Sequence, residues 1–212
     1  MTRSLKVDIP GPDRRTTLEC LQEEGIAAVF AGDVEKPEPL VVELGFGRGE
    51  FLMDLAAQEP DVAVLGVDYS HKRVWKLARR LAVTPLQNVR VLEARAEDVV
   101  AALPVASVRT FVVNFPDPWP KLRHRRRRML QAPFVAELAA RLVPDGILEV
   151  ATDHEGYAQQ IDKVLAAEPG LENVLDVPYR DDVPGRRVTA YEAAWRAEGR
   201  NLHFWTYRRL AE

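Results

Sequence analysis

The residues best suited to chemistry lie in one stretch, residues 115–128, which reads FPDPWPKLRHRRRR. Pro116 and Pro118 fix their own backbone angles and restrict the residues before them, so the sequence predicts a rigid loop that presents Asp117 and Trp119. A tryptophan ring can stack on a base, and a carboxylate can accept hydrogen bonds from a base edge. An isolated turn of this kind is more often an ordinary loop whose tryptophan covers the core, but its neighbours in the sequence favour a binding function.

A run of six cations follows this loop within residues 121–128, and no acid interrupts it. The whole chain has a formal net charge of -3, so the pattern predicts a basic patch on an acidic body. Charge runs are usually solvated surfaces, but phosphates would relieve the repulsion among these cations, and arginine makes forked contacts to phosphate. We therefore interpret the run, as far as Arg128, as a grip on a nucleic-acid backbone, with Arg123, Arg125 and Arg126 among the contacts.

A second cluster surrounds a glycine-rich loop, ELGFGRG, at residues 43–49. Glycine allows the backbone to turn tightly and to approach a ligand, which gives Gly45, Gly47 and Gly49 a reason to be there. Asp68 ends the next predicted strand, where an acid can accept both hydroxyls of a ribose. A glycine-rich turn alone is weak evidence, but here the glycines and the acid fall together at strand ends.

Acids around the glycines indicate which cofactor the loop would hold. A pyrophosphate loop needs a small residue at position 50, where Glu50 stands, and Glu43 adds a second negative charge. No Lys-Ser or Lys-Thr pair follows the glycines, which excludes a nucleotide-triphosphate loop. S-adenosylmethionine has no phosphate, and acids favour its sulfonium and ammonium cations. The sequence therefore predicts an S-adenosylmethionine site and disfavours an NAD-dependent oxidoreductase.

The elements that must position these residues alternate between strand and helix. Apolar runs predict strands at residues 40–44, 62–67, 89–92, 108–113 and 147–151, and late strands near 173–177 and 202–208. Helical spacing predicts helices at 50–57, at 70–81 with Ser70 as N-cap, after Pro133, and from Tyr157 onward. The alternation indicates an α/β fold with a doubly wound sheet, in which ligands bind beyond the carboxyl ends of the strands.

Length and composition limit the other possibilities. The chain has 212 residues, which suits one domain with some elaboration. Its single cysteine, Cys20, excludes an internal disulfide and a multi-cysteine zinc site, and we expect no metal. With no apolar run long enough to span a membrane and no signal-peptide core, a cytoplasmic protein without a membrane partner is expected. Residues 1–38 predict a partly ordered arm with a short helix near 18–29, and residues 39–212 a single domain.

Four motifs resemble those of a known family, the bacterial tRNA (guanine-N7-)-methyltransferases. FPDPWPKLRHRRRRMLQ is similar to the family's FPDPWxKxRHxKRR signature and is the most specific of them. ELGFGRGE, ATDHEGYA and VTAYE resemble its cofactor loop, its ATDxxxYA strand end and its C-terminal TxFE motif. The resemblance covers about residues 40–209 and implies a Rossmann-like class I methyltransferase with a seven-stranded, mostly parallel sheet and helices on both faces.

The resemblance also implies a reaction and a set of site residues. The methyl donor would be S-adenosylmethionine and the acceptor a guanosine, position 46 of the tRNA variable loop, with the enzyme a monomer or homodimer. Asp117 would be the catalytic residue. The cofactor site would comprise Glu43, Gly45, Gly47, Gly49, Asp68, Arg95, Ala96, Asn114 and Asp117. The substrate site would comprise Trp119, Lys121, Arg123, Arg125, Arg126, Asp153, Thr189, Ala190, Tyr191 and Glu192.

The chemistry of guanine N7 suits these residue types. N7 has an in-plane lone pair and needs no proton removed before it attacks a methyl group, so the enzyme mainly has to orient the ring. Asp153 or Glu192 could accept from the N1–H and exocyclic amine of guanine, donors that adenine lacks at that edge. Methylation places positive charge on the ring, which nearby carboxylates would stabilise.

The chain departs from the family pattern at three places. Arg95-Ala96 stands where the family has an acid followed by alanine to hold the adenine amine, so either Glu97 or Asp98 would substitute or backbone groups would suffice. Arg200 follows Gly199 where the family has histidine, and Tyr191 replaces a phenylalanine.

Two alternative functions stay open at this point. A methyltransferase acting on an exocyclic amine of another RNA or DNA base uses an Asn/Asp-Pro-Pro-aromatic turn, to which NFPDPW is similar in type but not in spacing. A non-catalytic RNA-binding protein could retain the same fold, and Arg95 leaves some room for that reading.

Overall fold

One sheet with helices on both faces makes up the computed structural model, which describes residues 8–37, 39–183, 188 and 190–211. The strands are β1 Arg15–Thr16, β2 Leu40–Leu44, β3 Val64–Asp68, β4 Val89–Glu93, β5 Val108–Asn114, β6 Leu142–Thr152, β7 Leu171–Asn173 and β8 His203–Arg209. The helices are α1 Leu18–Glu23, α2 Gly25–Val29, α3 Glu50–Gln58, α4 His71–Leu81, α5 Ala96–Ala102, α6 Ala132–Arg141, α7 Glu155–Ala166 and α8 Ala190–Ala197. A 3₁₀ helix, Leu122–Arg127, follows β5.

The strands lie in the order β1-β4-β3-β2-β5-β6-β8-β7. Strands β1 to β6 pair in parallel, and β8 is inserted antiparallel between β6 and β7. The predicted doubly wound, mostly parallel sheet of seven strands is confirmed, and β1 extends it by a two-residue edge strand. Because β2 and β5 are neighbours whose following connections run to opposite sides, their carboxyl ends border a crevice.

Most predicted elements are confirmed, and the errors have local causes. Strands β2 to β5 and helices α3 and α4 begin and end within two residues of their predicted limits. The strand predicted at 173–177 is wrong, because β7 ends at Asn173, whose Nδ2 donates to the carbonyls of Val177 and Pro178 at 3.0 Å each and closes a turn there. The single helix predicted near 18–29 is two short helices that meet at Gly25, where φ is +79°.

Two apolar layers pack on the sheet and fix the position of the edge at which the parallel strands end. One layer packs α3 and α4 against β2, β3 and β4, through residues such as Leu52, Leu77 and Val91. The other packs α1, α2, α5, α6 and α7 against the opposite face, with Phe111 and Trp205 at its centre. Because helices pack on both faces of the sheet, the carboxyl ends of the strands are held in fixed positions relative to one another.

The residues that precede β2 attach to the sheet through buried charge. Strand β1 pairs with β4, and Asp33 accepts hydrogen bonds from Arg14 at 2.7 Å and from Arg90 on β4. Arg90 is 7% exposed and also donates its Nε to the carbonyl of Val29 at 2.8 Å. The division into an arm at 1–38 and a domain at 39–212 stays a prediction.

Within the described residues, every helix is too short or too polar to cross a membrane.

We expect Asp33→Asn to lower the free energy of unfolding by about 1–3 kcal/mol at pH 7, because two arginines lose a charged partner. Burial raises the pKa of Asp33, the hydrogen bonds from Arg14 and Arg90 lower it, and the net shift is downward from 3.8. A carboxyl whose pKa is depressed in the folded state stabilises the fold above its unfolded pKa, and that contribution is lost as the pH falls below it.

The difference in the free energy of unfolding between wild type and Asp33→Asn should therefore become smaller below about pH 3.8. Urea unfolding at a series of pH values measures this difference. The exposed Asp61, changed to Asn, is the matched control and should stay within about 0.5 kcal/mol of wild type. Equal losses in the two variants would contradict a role for the Asp33 pairs.

Candidate active site

A cleft of about 1260 Å³ opens at the carboxyl ends of β2, β3, β4 and β5. The last residues of β2, β3 and β5 and the residues just after β4 line it, so the expected ligand position at this edge of the sheet agrees with the location of the cleft. The glycine-rich loop and the proline loop (residues 114–119) both line it. From the predicted cofactor site the lining includes Glu43, Gly45, Gly47, Gly49, Asp68, Arg95, Ala96, Asn114 and Asp117.

The glycine-rich loop owes its shape to three left-handed residues. Gly45, Gly47 and Gly49 have φ of +79°, +57° and +71°, a region that favours glycine. At Gly49 a Cβ would lie 2.5 Å from Cδ2 of Leu77, so α4 packs directly against the turn. The loop is therefore fixed both by its own backbone and by the helix below it.

Asp68 ties the glycine-rich loop to the start of α4. Its Oδ2 accepts from the Gly47 N–H at 3.2 Å and from Nη1 of Arg73 at 3.3 Å, and its Oδ1 accepts from the Ser70 N–H at 2.9 Å. The side chain is 1% exposed. A carboxylate has about four acceptor sites, so Asp68 keeps capacity for one further donor on the cleft side.

Glu43 lies at the end of β2, 2% exposed, on the floor of the cleft. Nδ2 of Asn114, at the end of the neighbouring strand β5, donates to its Oε1 at 3.4 Å. The two strand ends therefore present an acid and an amide side by side.

Arg95, which departs from the family pattern, lies at the rim of the cleft near α5. The Arg95 side chain is 71% exposed and pairs with Glu97 at 3.4 Å, and both residues line the cleft. Of the two acids expected to substitute, Glu97 lines the cleft and Asp98 does not.

The proline loop is strained at both ends, which its prolines alone do not explain. Phe115 and Trp119 have φ of +50° and +41°, a conformation that costs non-glycine residues about 1–3 kcal/mol. Phe115 is held because its N–H donates to the carbonyl of Ala151 at 2.8 Å and its ring packs edge-on against Trp195 at 4.9 Å. Trp119 lies between Arg127, whose guanidinium is 5.1 Å from the ring centre, and His124.

The loop presents its two predicted functional side chains differently. Asp117 is exposed at the mouth of the cleft, whereas Trp119 is half-buried and forms part of its wall. Both belong to the same cleft as the glycine-rich loop, which the sequence analysis required of them.

Arg128 is buried and cannot contact a nucleic-acid backbone, so that part of the prediction is wrong. It is 2% exposed, and its guanidinium lies 4.7 Å from the ring centre of Tyr157 on α7. Its Nε donates to the carbonyl of Pro118 at 2.8 Å, and its Nη1 donates to the carbonyl of Gly156 at 2.8 Å and to Gln160 at 2.9 Å. Arg128 therefore clamps the proline loop to α7.

The guanidinium of this clamp is desolvated and lies near another cation. Desolvation lowers the pKa of Arg128, and so does the charge of Arg125. Burial raises the pKa of Tyr157 to about 12, so the phenol stays neutral and its oxygen accepts from the Leu130 N–H at 3.0 Å. The clamp thus depends on backbone carbonyls and an aromatic face rather than on a carboxylate.

The other cations of the run lie on the 3₁₀ helix or, for Lys121, just before it, and they are exposed. Lys121, Arg123, Arg125 and Arg126 are exposed. Arg126 and Arg127 line the cleft mouth, whereas Lys121, Arg123 and Arg125 lie beyond it. The run therefore leads away from the cleft along the surface.

The carboxylates predicted to read the base already have arginine partners. Asp153, just after β6, lines the cleft and accepts from Nη1 of Arg200 at 3.0 Å. Glu192 on α8 is 2% exposed, pairs with Arg196 at 3.0 Å, and is not part of the cleft lining. Among the predicted substrate residues, Thr189 and the side chains of Ala190 and Tyr191 lie outside the described residues.

Sequence reasoning missed Trp195 and Arg196 on α8 and Arg73 on α4. Trp195, on α8, lines the cleft and packs on Phe115, and Arg200 stacks over its ring at 5.2 Å. Trp195 and Arg196 lie three and four residues after Glu192. In a helix these positions are neighbours of that acid, so recognising helical spacing there would have placed both side chains beside it. Arg73, the partner of Asp68, was likewise missed although it stands five residues after it.

The chain is similar in sequence to known methyltransferases. A family model described as "Putative methyltransferase" matches residues 37–205. The chain is 38% identical over 173 residues to a tRNA (guanine-N(7)-)-methyltransferase of Acidithiobacillus ferrooxidans, which covers 81% of this chain and 76% of the relative. It is 34% identical over 188 residues to the tRNA (guanine-N(7)-)-methyltransferase of Geobacter metallireducens, over 88% of this chain and 87% of the relative.

Solved structures share the fold at low identity. The 16S rRNA methyltransferase KamB superposes with a TM-score of 0.62 at 18% identity, over 86% of this chain and 91% of that one. A 16S rRNA (adenine(1408)-N(1))-methyltransferase mutant from Catenulisporales acidiphilia, solved with its cosubstrate SAM, gives a TM-score of 0.58 at 20% identity, over 87% and 90%. These likenesses establish a methyltransferase α/β fold.

We expect Arg128→Ala to destabilise the protein by about 2–4 kcal/mol, because buried carbonyls at Pro118 and Gly156 lose their donor. Hydrogen exchange of residues 114–120 should accelerate more than the global loss of stability requires. Arg128→Lys keeps the charge but not the fork, so its loss should be intermediate.

Arg123→Ala is the matched control, since Arg123 is an exposed arginine of the same run, and its stability should change by no more than about 0.5 kcal/mol. Similar stability and loop exchange in Arg128→Ala and wild type would refute the clamp.

Proposed function

The chain belongs to the family of tRNA (guanine-N7-)-methyltransferases, and we propose that it transfers a methyl group from S-adenosylmethionine to N7 of a guanosine at position 46 of the tRNA variable loop. The observation that carries this is the convergence of the acid-lined glycine loop and the proline loop on one cleft. Methyl transfer is a direct displacement, and holding its reacting atoms in line can supply roughly 7–11 kcal/mol.

The residues of the cleft floor fit S-adenosylmethionine. Asp68 retains an acceptor site toward the cleft, which suits a ribose hydroxyl, and Glu43 beside Asn114 suits an ammonium group. Gly47 allows the backbone to approach the ligand closely, and Glu97 offers an acceptor to an adenine amine. When bound, the cofactor supplies an electrophilic methyl group; the protein orients it and excludes water.

The proline loop would hold the acceptor base. Trp119 offers a ring for stacking, which contributes about 1–3 kcal/mol per base. Asp117 is at the mouth, where its carboxylate can orient the reacting groups and stabilise the positive charge that develops on the guanine ring. The protein abstracts no proton from N7, because the lone pair is already available.

Asp153 is the better candidate for guanine recognition, because it lines the cleft and Glu192 does not. A guanidinium and the N1–H and amine edge of guanine both offer N–H donors, so a bound guanine would replace Arg200 on Asp153. Glu192, ion-paired with Arg196, would then fix the orientation of α8.

The exposed cations of the run would contact phosphates of the tRNA. Lys121, Arg123, Arg125 and Arg126 lie at the cleft mouth or beyond it, so they can hold the backbone on either side of the methylated nucleotide. A cytoplasmic location and a monomeric or homodimeric state remain predictions.

The function is tested by incubating the protein with unmodified tRNA and labelled methyl donor, followed by strand scission at 7-methylguanosine. Scission after one guanosine of the variable loop is the expected result. Nuclease digestion with mass spectrometry would instead reveal a methyl group on an exocyclic amine, which would replace this proposal with the alternative activity.

Asp68→Asn should weaken binding of S-adenosylmethionine and S-adenosylhomocysteine equally, by roughly 10- to 100-fold, because both ligands carry the ribose and the loss of one charged hydrogen bond is about 1.5–3 kcal/mol. Titration calorimetry measures both affinities. A loss confined to S-adenosylmethionine would mean that Asp68 acts on the sulfonium charge and not on the ribose.

Asp117→Asn should lower the single-turnover rate of methyl transfer by roughly 10²–10³-fold, the usual size for one electrostatic group near developing charge. Asp61→Asn, an exposed aspartate away from the cleft, is the control and should leave the rate unchanged. Unimpaired transfer by Asp117→Asn would remove Asp117 from the mechanism.

A further inference from the structure

Helix α4 is a second basic segment that the function described so far does not use. It reads HKRVWKLARRL and carries five lysines and arginines without an acid. Its buried side consists of Val74, Leu77, Ala78 and Leu81. The cations lie on the remaining face: Lys72, Arg73, Lys76, Arg79 and Arg80.

Two of these cations have no structural explanation. Arg73 pairs with Asp68, Arg79 donates to the carbonyl of Asp8, and Arg80 donates to the carbonyl of Arg48 at 2.7 Å. Lys72 and Lys76 are exposed and form neither an ion pair nor a hydrogen bond with any residue that the structure describes.

Helix electrostatics makes this arrangement more unusual. Cations stabilise the last turn of a helix, which accounts for Arg79 and Arg80, but they are disfavoured in the first turn. Lys72 and Arg73 stand in that first turn. Arg73 is compensated by Asp68, whereas Lys72 faces both the helix dipole and its neighbouring cations.

The basic face of α4 is continuous with the cleft. Arg48 and Arg73 line the cleft on the side of α4, and Arg126 and Arg127 line it on the side of the proline loop. The cleft therefore lies between two cationic surfaces. Helix α4 begins beside the cleft, and its 11 residues extend about 16 Å toward the edge of the sheet where the strands begin.

We propose that α4 and Arg48 form a second phosphate-binding surface, which holds a segment of the same tRNA away from the methylated nucleotide. This rests on the proposed function. A polynucleotide fits better than an anionic membrane, because the apolar side of α4 is buried against the sheet and leaves no face to insert into a bilayer. Phosphates arrayed along a backbone match cations spaced along a helix.

The test compares Lys72→Ala/Lys76→Ala with Lys36→Ala/Lys163→Ala. The control removes the same charge from two exposed lysines outside this surface. Binding of unmodified tRNA is measured from 0.05 to 0.4 M salt, together with methyl-transfer kinetics and calorimetric titration of S-adenosylmethionine.

We expect the α4 variant to lose about 1.4–1.8 from the slope of log affinity against log salt, since each phosphate contact contributes about 0.7–0.9. At 0.15 M salt this corresponds to roughly 15- to 30-fold weaker tRNA binding, seen as a raised KM, with unchanged affinity for S-adenosylmethionine. The control should follow wild type. Lys72→Glu/Lys76→Glu should weaken tRNA binding further.

Two results would overturn the proposal: an α4 variant whose salt slope equals that of wild type, or one that loses binding only to vesicles of phosphatidylglycerol. Failure of the wild-type protein to methylate tRNA would instead refute the proposed function. The two failures are thus read from different proteins in the same experiment.

Discussion

The enclosed guanidinium of Arg128 is the contact on which the geometry of the cleft depends. It joins the carbonyl of Pro118 to the carbonyl of Gly156 and to Gln160, and so connects the proline loop to the start of α7. Two residues of that loop, Phe115 and Trp119, adopt a backbone conformation that they would not hold alone. Packing of Phe115 on Trp195 and the Arg128 contacts offset this strain, and the offset keeps Asp117 and Trp119 at the cleft.

The acids of the cleft are held by the same kind of pre-arranged contact. Asp68 accepts from two backbone N–H groups and from Arg73, while Glu43 meets Asn114 across the β2–β5 pair. These partners come from strand ends and a helix start, which the two apolar layers fix in position. A ligand therefore meets carboxylates that are already oriented, and little side-chain freedom has to be lost on binding.

Sequence patterns predicted this framework well where one physical cause dominates. The short apolar run at Leu40–Leu44 followed by glycines is typical of a buried strand and a tight turn, so β2 and its loop were predicted at the right residues. The proline loop and Asp68 followed from the rule that strand ends carry the site. Where contacts between distant segments decide, the sequence was silent: β1 exists because two residues pair with β4, and neither has a strand pattern of its own.

The arginine run shows the limit most clearly. Arg125 and Arg128 have the same side chain and are three positions apart. Arg125 is exposed, whereas Arg128 is buried beneath the proline loop, with 2% of its surface accessible. In a 3₁₀ helix residues i and i+3 eclipse, but the helix ends at Arg127, so Arg128 leaves that face and turns toward α7. Contacts with Pro118 and with residues of α7 distinguish Arg128 from Arg125, and α7 is a segment nearly thirty residues away in the chain.

Acidic and basic side chains occupy different parts of the cleft, and this separation suits the two ligands proposed for it. The acids Glu43 and Asp68 are buried at the floor of the cleft, whereas Arg126, Arg127, Arg48 and Arg73 stand at its mouth. A polyanion is attracted to the mouth and is repelled by the floor, so phosphate groups are kept out of the pocket that suits a cationic donor. Arg200 on Asp153 has a related effect, because it neutralises an acid that a phosphate would otherwise meet at the rim.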